Sequence, residues 1–197
     1  MIDQFKPCES ELVWFGVNEN SVLRFLVQLN NPNPYPLRGV ATEWIAYDKD
    51  DALVGSHDGL QTDIPANGSI FYVGGAGGAN LSGTPARVEI KINDDGLLTN
   101  RQLPQITVNN IQLTDSGFGR YTVSADCITS DEIQTVDLAG RFIVKDLNGK
   151  VIYADFWSAK NLPDSIDANG KFKVSNDFFH LPTKPETAEV YIYYIMQ

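Results

Sequence analysis

The 197-residue chain reads as an all-β protein built from two antiparallel β-sandwiches in tandem, and three observations carry that reading. The first is an internal repeat. Trp44-Ile45-Ala46-Tyr47-Asp48, a turn at Lys49-Asp50-Asp51 and the apolar Ala52-Leu53-Val54 are echoed by Phe142-Ile143-Val144-Lys145-Asp146, Leu147-Asn148-Gly149 and Lys150-Val151-Ile152. Ile64-Pro65-Ala66-Asn67-Gly68 returns as Ile166-Asp167-Ala168-Asn169-Gly170, and Ala86-Arg87-Val88-Glu89-Ile90 as Ala188-Glu189-Val190-Tyr191-Ile192. The offset is 98 at the first match and 102 at the later ones, too long for a solenoid repeat and the size of one small β domain. The second observation is hydrophobic alternation of period two throughout, with no stretch carrying a 3.6-residue apolar stripe. The third is the short spacing of turn signals. The copies are placed at 1–98 and 104–197, with a short polar, turn-rich linker over 93–104.

Each strand follows from the alternation and its flanking breakers. In the first copy strands are expected over 12–17, 22–30, 37–48, 52–56, 69–73 and 86–92. In the second they are expected over 105–114, 120–129, 135–146, 150–158, 171–175 and 188–195. Asn31-Pro32-Asn33-Pro34-Tyr35-Pro36 is a loop, because three prolines remove ladder donors. Asn148-Gly149 predicts a type I′ hairpin, whose two central residues both need positive φ. Gly74-Gly75-Ala76-Gly77-Gly78 reads as a flexible loop, lacking both the spacing and the following helix of a dinucleotide-binding turn.

Composition excludes several functions. With 15 Lys and Arg against 25 Asp and Glu the net charge is −10, and no basic run offsets it locally. Such a surface repels nucleic-acid phosphates and anionic headgroups, so no nucleic-acid partner is expected. No apolar run reaches the length of a membrane span, and no charged n-region with a following apolar h-region opens the chain. Read from Met1 the chain starts as a cytoplasmic protein; if Met1 replaces a removed leader it is extracytoplasmic. Cys8 and Cys127 lie at non-equivalent positions of different copies, so neither sandwich is stapled internally, and two buried free thiols are expected.

The pentapeptides Trp44-Ile45-Ala46-Tyr47-Asp48 and Phe142-Ile143-Val144-Lys145-Asp146, each followed by a turn, an apolar strand and an Ala-Asn-Gly turn, resemble the FxLYD domain. The first copy keeps the tyrosine and aspartate of that motif, and the second keeps its phenylalanine and aspartate. The resemblance implies immunoglobulin/fibronectin-III-like sandwiches of bacterial or archaeal origin, often outside the cytoplasm, with no catalytic residues to transfer. Asn30-Asn31-Pro32-Asn33-Pro34-Tyr35 also resembles the strand-ending loop of late-embryogenesis-abundant-like sandwiches, another non-catalytic group. Trp44 with Ala46, and Phe142 with Val144, share a pleat face and should point inward. Asp146 precedes a tight turn where its carboxylate can accept local N–H groups.

Candidate chemistry is sparse. His57 and His180 are the only histidines, are not equivalent, and have no nucleophile elbow to serve. Asp48-Lys49-Asp50-Asp51 lacks the glycine and terminal glutamate of a calcium loop. No catalytic residue, metal ligand or cofactor is nominated, and an enzyme gathering carboxylates near Asp94-Asp95 has only acidic composition behind it. The repeat itself points elsewhere. In the first copy Val88, Ile90 and Ile92 alternate with Glu89 and Lys91, so the charged pair faces water. The same positions in the second copy are Tyr191 and Tyr193, two outward rings on one strand face. Alternation likewise puts Ile152, Ala154 and Phe156 in the core and Tyr153 and Trp157 outward. These four aromatics are the expected binding face. The reading is a non-catalytic protein with a structural or protein-interaction role, its partner another protein or a second copy of itself. The alternative is a carbohydrate-binding module whose partner is a polysaccharide.

Overall fold

The computed structural model describes residues 5–18, 22–59, 61–76, 80–134, 138–156 and 165–194. The chain divides into two compact units, Met1–Leu103 and Pro104–Gln197. The first contains β1 (Glu9–Val17), β2 (Leu23–Asn31), β3 (Leu37–Tyr47), β4 (Leu53–Asp58), β5 (Thr62–Ile64), β6 (Gly68–Ala76), β7 (Arg87–Asp94) and β8 (Leu97–Leu98). The second contains β9 (Ile106–Gly117), β10 (Arg120–Thr129), β11 (Leu138–Lys145), β12 (Val151–Phe156), β13 (Lys171–Phe179) and β14 (Thr187–Tyr194). Every strand pair described is antiparallel.

Both units are β-sandwiches of one topology. Sheet β1-β2-β6 of the first corresponds to β9-β10-β13 of the second, and β4-β3-β7 to β12-β11-β14. In the second unit one cluster joins Val123, Ala125 and Cys127 of β10 and Phe172, Val174 and Phe178 of β13 to Phe142 and Val144 of β11 and Val190 and Ile192 of β14. In the first, Phe25 of β2 reaches across to Trp44 of β3 at 6.1 Å between ring centroids. Trp44, Ala46, Phe142 and Val144 all point into their cores. Both cysteines are buried free thiols. Burial pushes Cys8 up to about 11 and Cys127 up to about 12, so each stays a protonated thiol at neutral pH.

Four sequence expectations are corrected. The stretch read as a linker over 93–104 falls, up to Leu103, in the first unit. β7 runs to Asp94, and Leu97 and Leu98 pair with Arg38 and Leu37. Asp94 and Asp95 accept backbone N–H groups of Gly96 and Cys8 at 2.9 and 2.7 Å. The first three residues of the glycine run are not loop: Gly74, Gly75 and Ala76 are the end of β6, paired with Phe25, Arg24 and Leu23, while Gly77 and Gly78 lie outside the described residues. A Cβ at Gly74 would lie 2.3 Å from the Phe25 ring, which explains the glycine.

The Asn148-Gly149 turn is not type I′, since only Gly149 has positive φ, at 75°. Gly149 N donates to Asp146 O at 3.0 Å, and the Asp146 carboxylate accepts Asn148 N and Lys150 N, each at 2.9 Å. The result is a three-residue loop with a left-handed last residue. The first unit repeats it with Asp48 as acceptor for Asp50 N and Ala52 N, and with Asp51 left-handed at φ 59°.

The fourth correction concerns β12. A bulge at Ile152 breaks the register between Val144↔Tyr153 and Lys145↔Val151, so the alternation on its far side is reversed. Tyr153 shares the core face with Val144, while Ala154 and Phe156 pair with Ile143 and Arg141 on the opposite face. The same bulge recurs at Val54 in β4.

Candidate functional site

The outer face of β12-β11-β14 is assembled by cross-strand register. Phe156, Arg141 and Tyr191 form one row, Ala154, Ile143 and Glu189 the next, and Ala139 stands beside Tyr193. β11 is buried on both faces: Ala139, Arg141 and Ile143 retain 6%, 8% and 1% of their surface. Solvent therefore meets the half-buried rings of β14 and Phe156 at the β12 edge.

Tyr191 and Tyr193 stack on one another, with centroids 6.4 Å apart and planes within 6°. The Tyr191 hydroxyl donates to Glu189 Oε2 at 3.1 Å, and Lys145 pairs with the other oxygen of that carboxylate. Burial first, then the Glu189 carboxylate, holds the Tyr191 hydroxyl protonated well above the usual phenol range. On the neighbouring strand Arg141, opposite Tyr191, donates from Nη1 to Gly140 O at 2.9 Å. A planar, pre-stacked aromatic pair beside a guanidinium and a carboxylate can bury apolar area and still meet polar groups at its rim.

Of the four aromatics expected here, the structure brings together Tyr191 and Tyr193. Tyr153 is turned into the core, where it meets Phe178 edge-on at 6.1 Å and 85°. Trp157 lies outside the described residues. Arg141 and Phe156 were missed. The signal for Arg141 was a lone charge inside the apolar run from Leu138 to Val144; Phe156 needed the bulge, which alternation cannot foresee.

The corresponding face of the first unit is made differently. Ile45 pairs with Glu89 and Glu43 with Lys91, and Arg87 lies over the Tyr47 ring at 4.1 Å while pairing with Asp51 at 2.9 Å and with Glu89. Arg87, Asp51 and Glu89 thus satisfy one another in solvent-accessible ion pairs, as on an ordinary solvated sheet.

A second concave surface lies on sheet β9-β10-β13. A bulge in β9 leaves Asn110 left-handed at φ 51°, and its amide donates to Asp126 at 2.9 Å. That hydrogen bond, followed by Lys173 at 3.5 Å, lowers the Asp126 carboxyl below its usual range. With Asn109, Ile128, Asp167 and Lys171 these residues line an open cavity of about 670 Å³. A neighbouring cavity of about 660 Å³ is lined by residues 129–134 and 166–170.

His57 and His180 are both exposed, and His57 Nδ1 lies 2.6 Å from Asp58 O. Among the described residues no three His, Cys, Asp or Glu side chains converge as a metal site.

No protein-family profile matches the chain, and no curated protein does. Among solved structures it is similar to red sea bream transglutaminase, with 10% identity, a TM-score of 0.30 and coverage of 98% of this chain and 32% of that one. It is also similar to an Amycolatopsis orientalis exo-chitosanase, at 8% identity, TM-score 0.26 and coverage of 93% and 25%. A structural-genomics target matches at 8% identity and TM-score 0.25, over 85% and 82%. The chain thus spans about a third of the transglutaminase and a quarter of the chitosanase, and at these scores none of the three bears on what it does.

Proposed function

We propose that the protein is a non-catalytic tandem β-sandwich, immunoglobulin-like in class and similar to FxLYD domains, whose second unit makes a protein contact through the outer face of β12-β11-β14. The partner is a second copy of the chain or another protein. The observation that supports this most is the stacked pair Tyr191 and Tyr193, standing where the first unit carries exposed Glu89 and Lys91 on the same strand of the same fold. Rings already stacked have little rotamer freedom left to lose on binding, and Tyr and Arg are the residues that interfaces concentrate.

The test is size-exclusion chromatography with light scattering over a wide concentration range, on the wild type and on Tyr191→Glu, Tyr193→Lys. The reading expects a wild-type association that the variant loses while its circular dichroism is unchanged. Association equal in both proteins contradicts it.

A second reading has its own observation. The trough of Asn109, Asn110, Asp126, Lys171 and Lys173 offers amides and carboxylates of the kind that bind sugar hydroxyls, with Ile128 as an apolar patch. A glycan panel that shifts the melting temperature of the wild type but not of Asn110→Ala, Asp126→Ala would favour a carbohydrate-binding module.

A further inference from the structure

A different part of the second unit carries a strained and fully exposed aromatic residue. The β9–β10 hairpin closes on two residues, Phe118 and Gly119, between the paired Gly117 and Arg120. Phe118 has φ 54° and Gly119 φ 74°, so the turn is type I′, a geometry that asks for Asn, Asp or Gly at both places. A phenylalanine there is strained by its Cβ, and this one is fully exposed. It therefore costs conformational energy and covers nothing in its own unit.

It is not alone. Arg120 also pairs with Phe179, so the end of β13 lies beside the hairpin tip, and Phe179 is 57% exposed beneath the Arg120 guanidinium at 5.7 Å. β10 runs away from this end and β11 returns to it. Leu147, 84% exposed at the tip of the β11–β12 turn, is thus at the same end. Glu186 N donates to Lys145 O at 2.8 Å, tying the connection after β13 to that turn. At the repeat offsets of 98, 98 and 102 the first copy has Asn20, Lys49 and Gly77 in place of Phe118, Leu147 and Phe179. Two turn positions and the end of one strand in the second unit thus carry large apolar side chains where the first copy has Asn, Lys and Gly.

We infer that this end of the second unit is a lipid-contacting tip, inserting Phe118 and Leu147, with Phe179 behind them, into a zwitterionic bilayer interface. Discrete apolar points on separate loops suit a deformable interface, whereas a protein pocket would call for one contiguous patch. The local charge agrees. Arg120, Lys145, Lys150 and Lys184 nearly balance Asp115, Asp146, Asp177, Glu186 and Glu189, so this end escapes the strongly acidic character of a chain with net charge −10. The Asp115 carboxylate accepts Gly117 N, Asp146 accepts its turn, and Asp177 pairs with Arg120 at 2.7 Å. Attachment driven by apolar tips is insensitive to salt and gains nothing from anionic lipid.

The experiment is co-sedimentation of the full chain with phosphatidylcholine vesicles, comparing wild type with Phe118→Asn, Leu147→Lys. The expected result is wild-type partitioning that is unchanged by salt and falls about tenfold or more in the variant. Phe118→Asn alone should melt no lower than wild type, since asparagine tolerates positive φ, so lost partitioning cannot be blamed on unfolding. No wild-type partitioning, equal partitioning in the variant, or binding that appears only with anionic lipid and vanishes in salt would each overturn the inference.

Discussion

The two units solve one packing problem with different residues. In the first, Phe25 lies flat on its cross-strand partner Gly74, and Trp44 reaches over Gly55. At the same strand positions the second unit has Val123 opposite Asn176, and Phe142 with Tyr153. Ala76 and Phe178, each closing its edge strand onto the core, exchange small for large in the same sense. The aromatic rings thus occupy different strand positions in the two cores. The polar end repeats too. Asn33 N donates to Asn31 Oδ1 at 2.9 Å, and Asp131 N to Thr129 Oγ1 at 3.2 Å. Lys6 N reaches Asn33 at 2.9 Å as Gln105 N reaches Asp131 at 3.2 Å. The interiors thus differ in where their apolar rings stand, whereas outer faces and tips differ in chemistry, and that is where the units part company.

The largest effect should come from the cores. Phe142→Ala and Trp44→Ala each remove a buried aromatic and should cost about 3–5 kcal/mol in urea denaturation. A cost under about 1 kcal/mol at either would break the equivalence of the two positions. Next come the polar ends. Asn31 donates to Tyr35 O at 2.9 Å and Pro65 O at 3.0 Å while accepting from Asn33, so Asn31→Ala strands several buried groups and should cost about 3 kcal/mol. Thr129→Val loses a single acceptor and should cost about 1 kcal/mol by the same measurement.

Smaller still is the left-handed turn position. Gly149→Ala should destabilise, and Asp51→Gly stabilise, by about 0.5–1 kcal/mol each in thermal melts, the exposed Asp51–Arg87 pair being worth little. The smallest is a pH effect peculiar to the second unit. Asp167 accepts Lys171 N and Asn169 N, each at 2.8 Å, which lowers its carboxyl, whereas the first unit has Pro65 there. A carboxyl lowered on folding adds stability above its unfolded value near 4, and loses it as pH falls through the lower folded value. Asp167→Asn should therefore flatten the melting temperature between about pH 4 and pH 2 relative to wild type.

Most strands and both inward-facing motifs were legible because repetition and period-two alternation are local signals. Trp44, Ala46, Phe142 and Val144 needed nothing more. The site was half legible. Tyr191 and Tyr193 follow an unbroken alternation along β14, so comparing the copies found them. Tyr153 was misplaced because one extra residue at Ile152 reverses every side chain beyond it, and a bulge leaves no mark in a hydrophobic pattern. β5 and β8 escaped notice because three- and two-residue strands hold too little pattern. Nothing in the alternation marks Phe118; its positive φ and full exposure do.

The most direct test of the divergence in surface chemistry is sedimentation equilibrium on three proteins: wild type, Tyr191→Glu with Tyr193→Lys, and Glu89→Lys with Lys91→Glu as the matching change in the first unit. Wild type and the first-unit variant should associate alike, and the second-unit variant should be monomeric at every concentration with an unchanged melting temperature. Equal association in all three, or its loss from the first-unit variant alone, would contradict the assignment of the contact to Tyr191 and Tyr193.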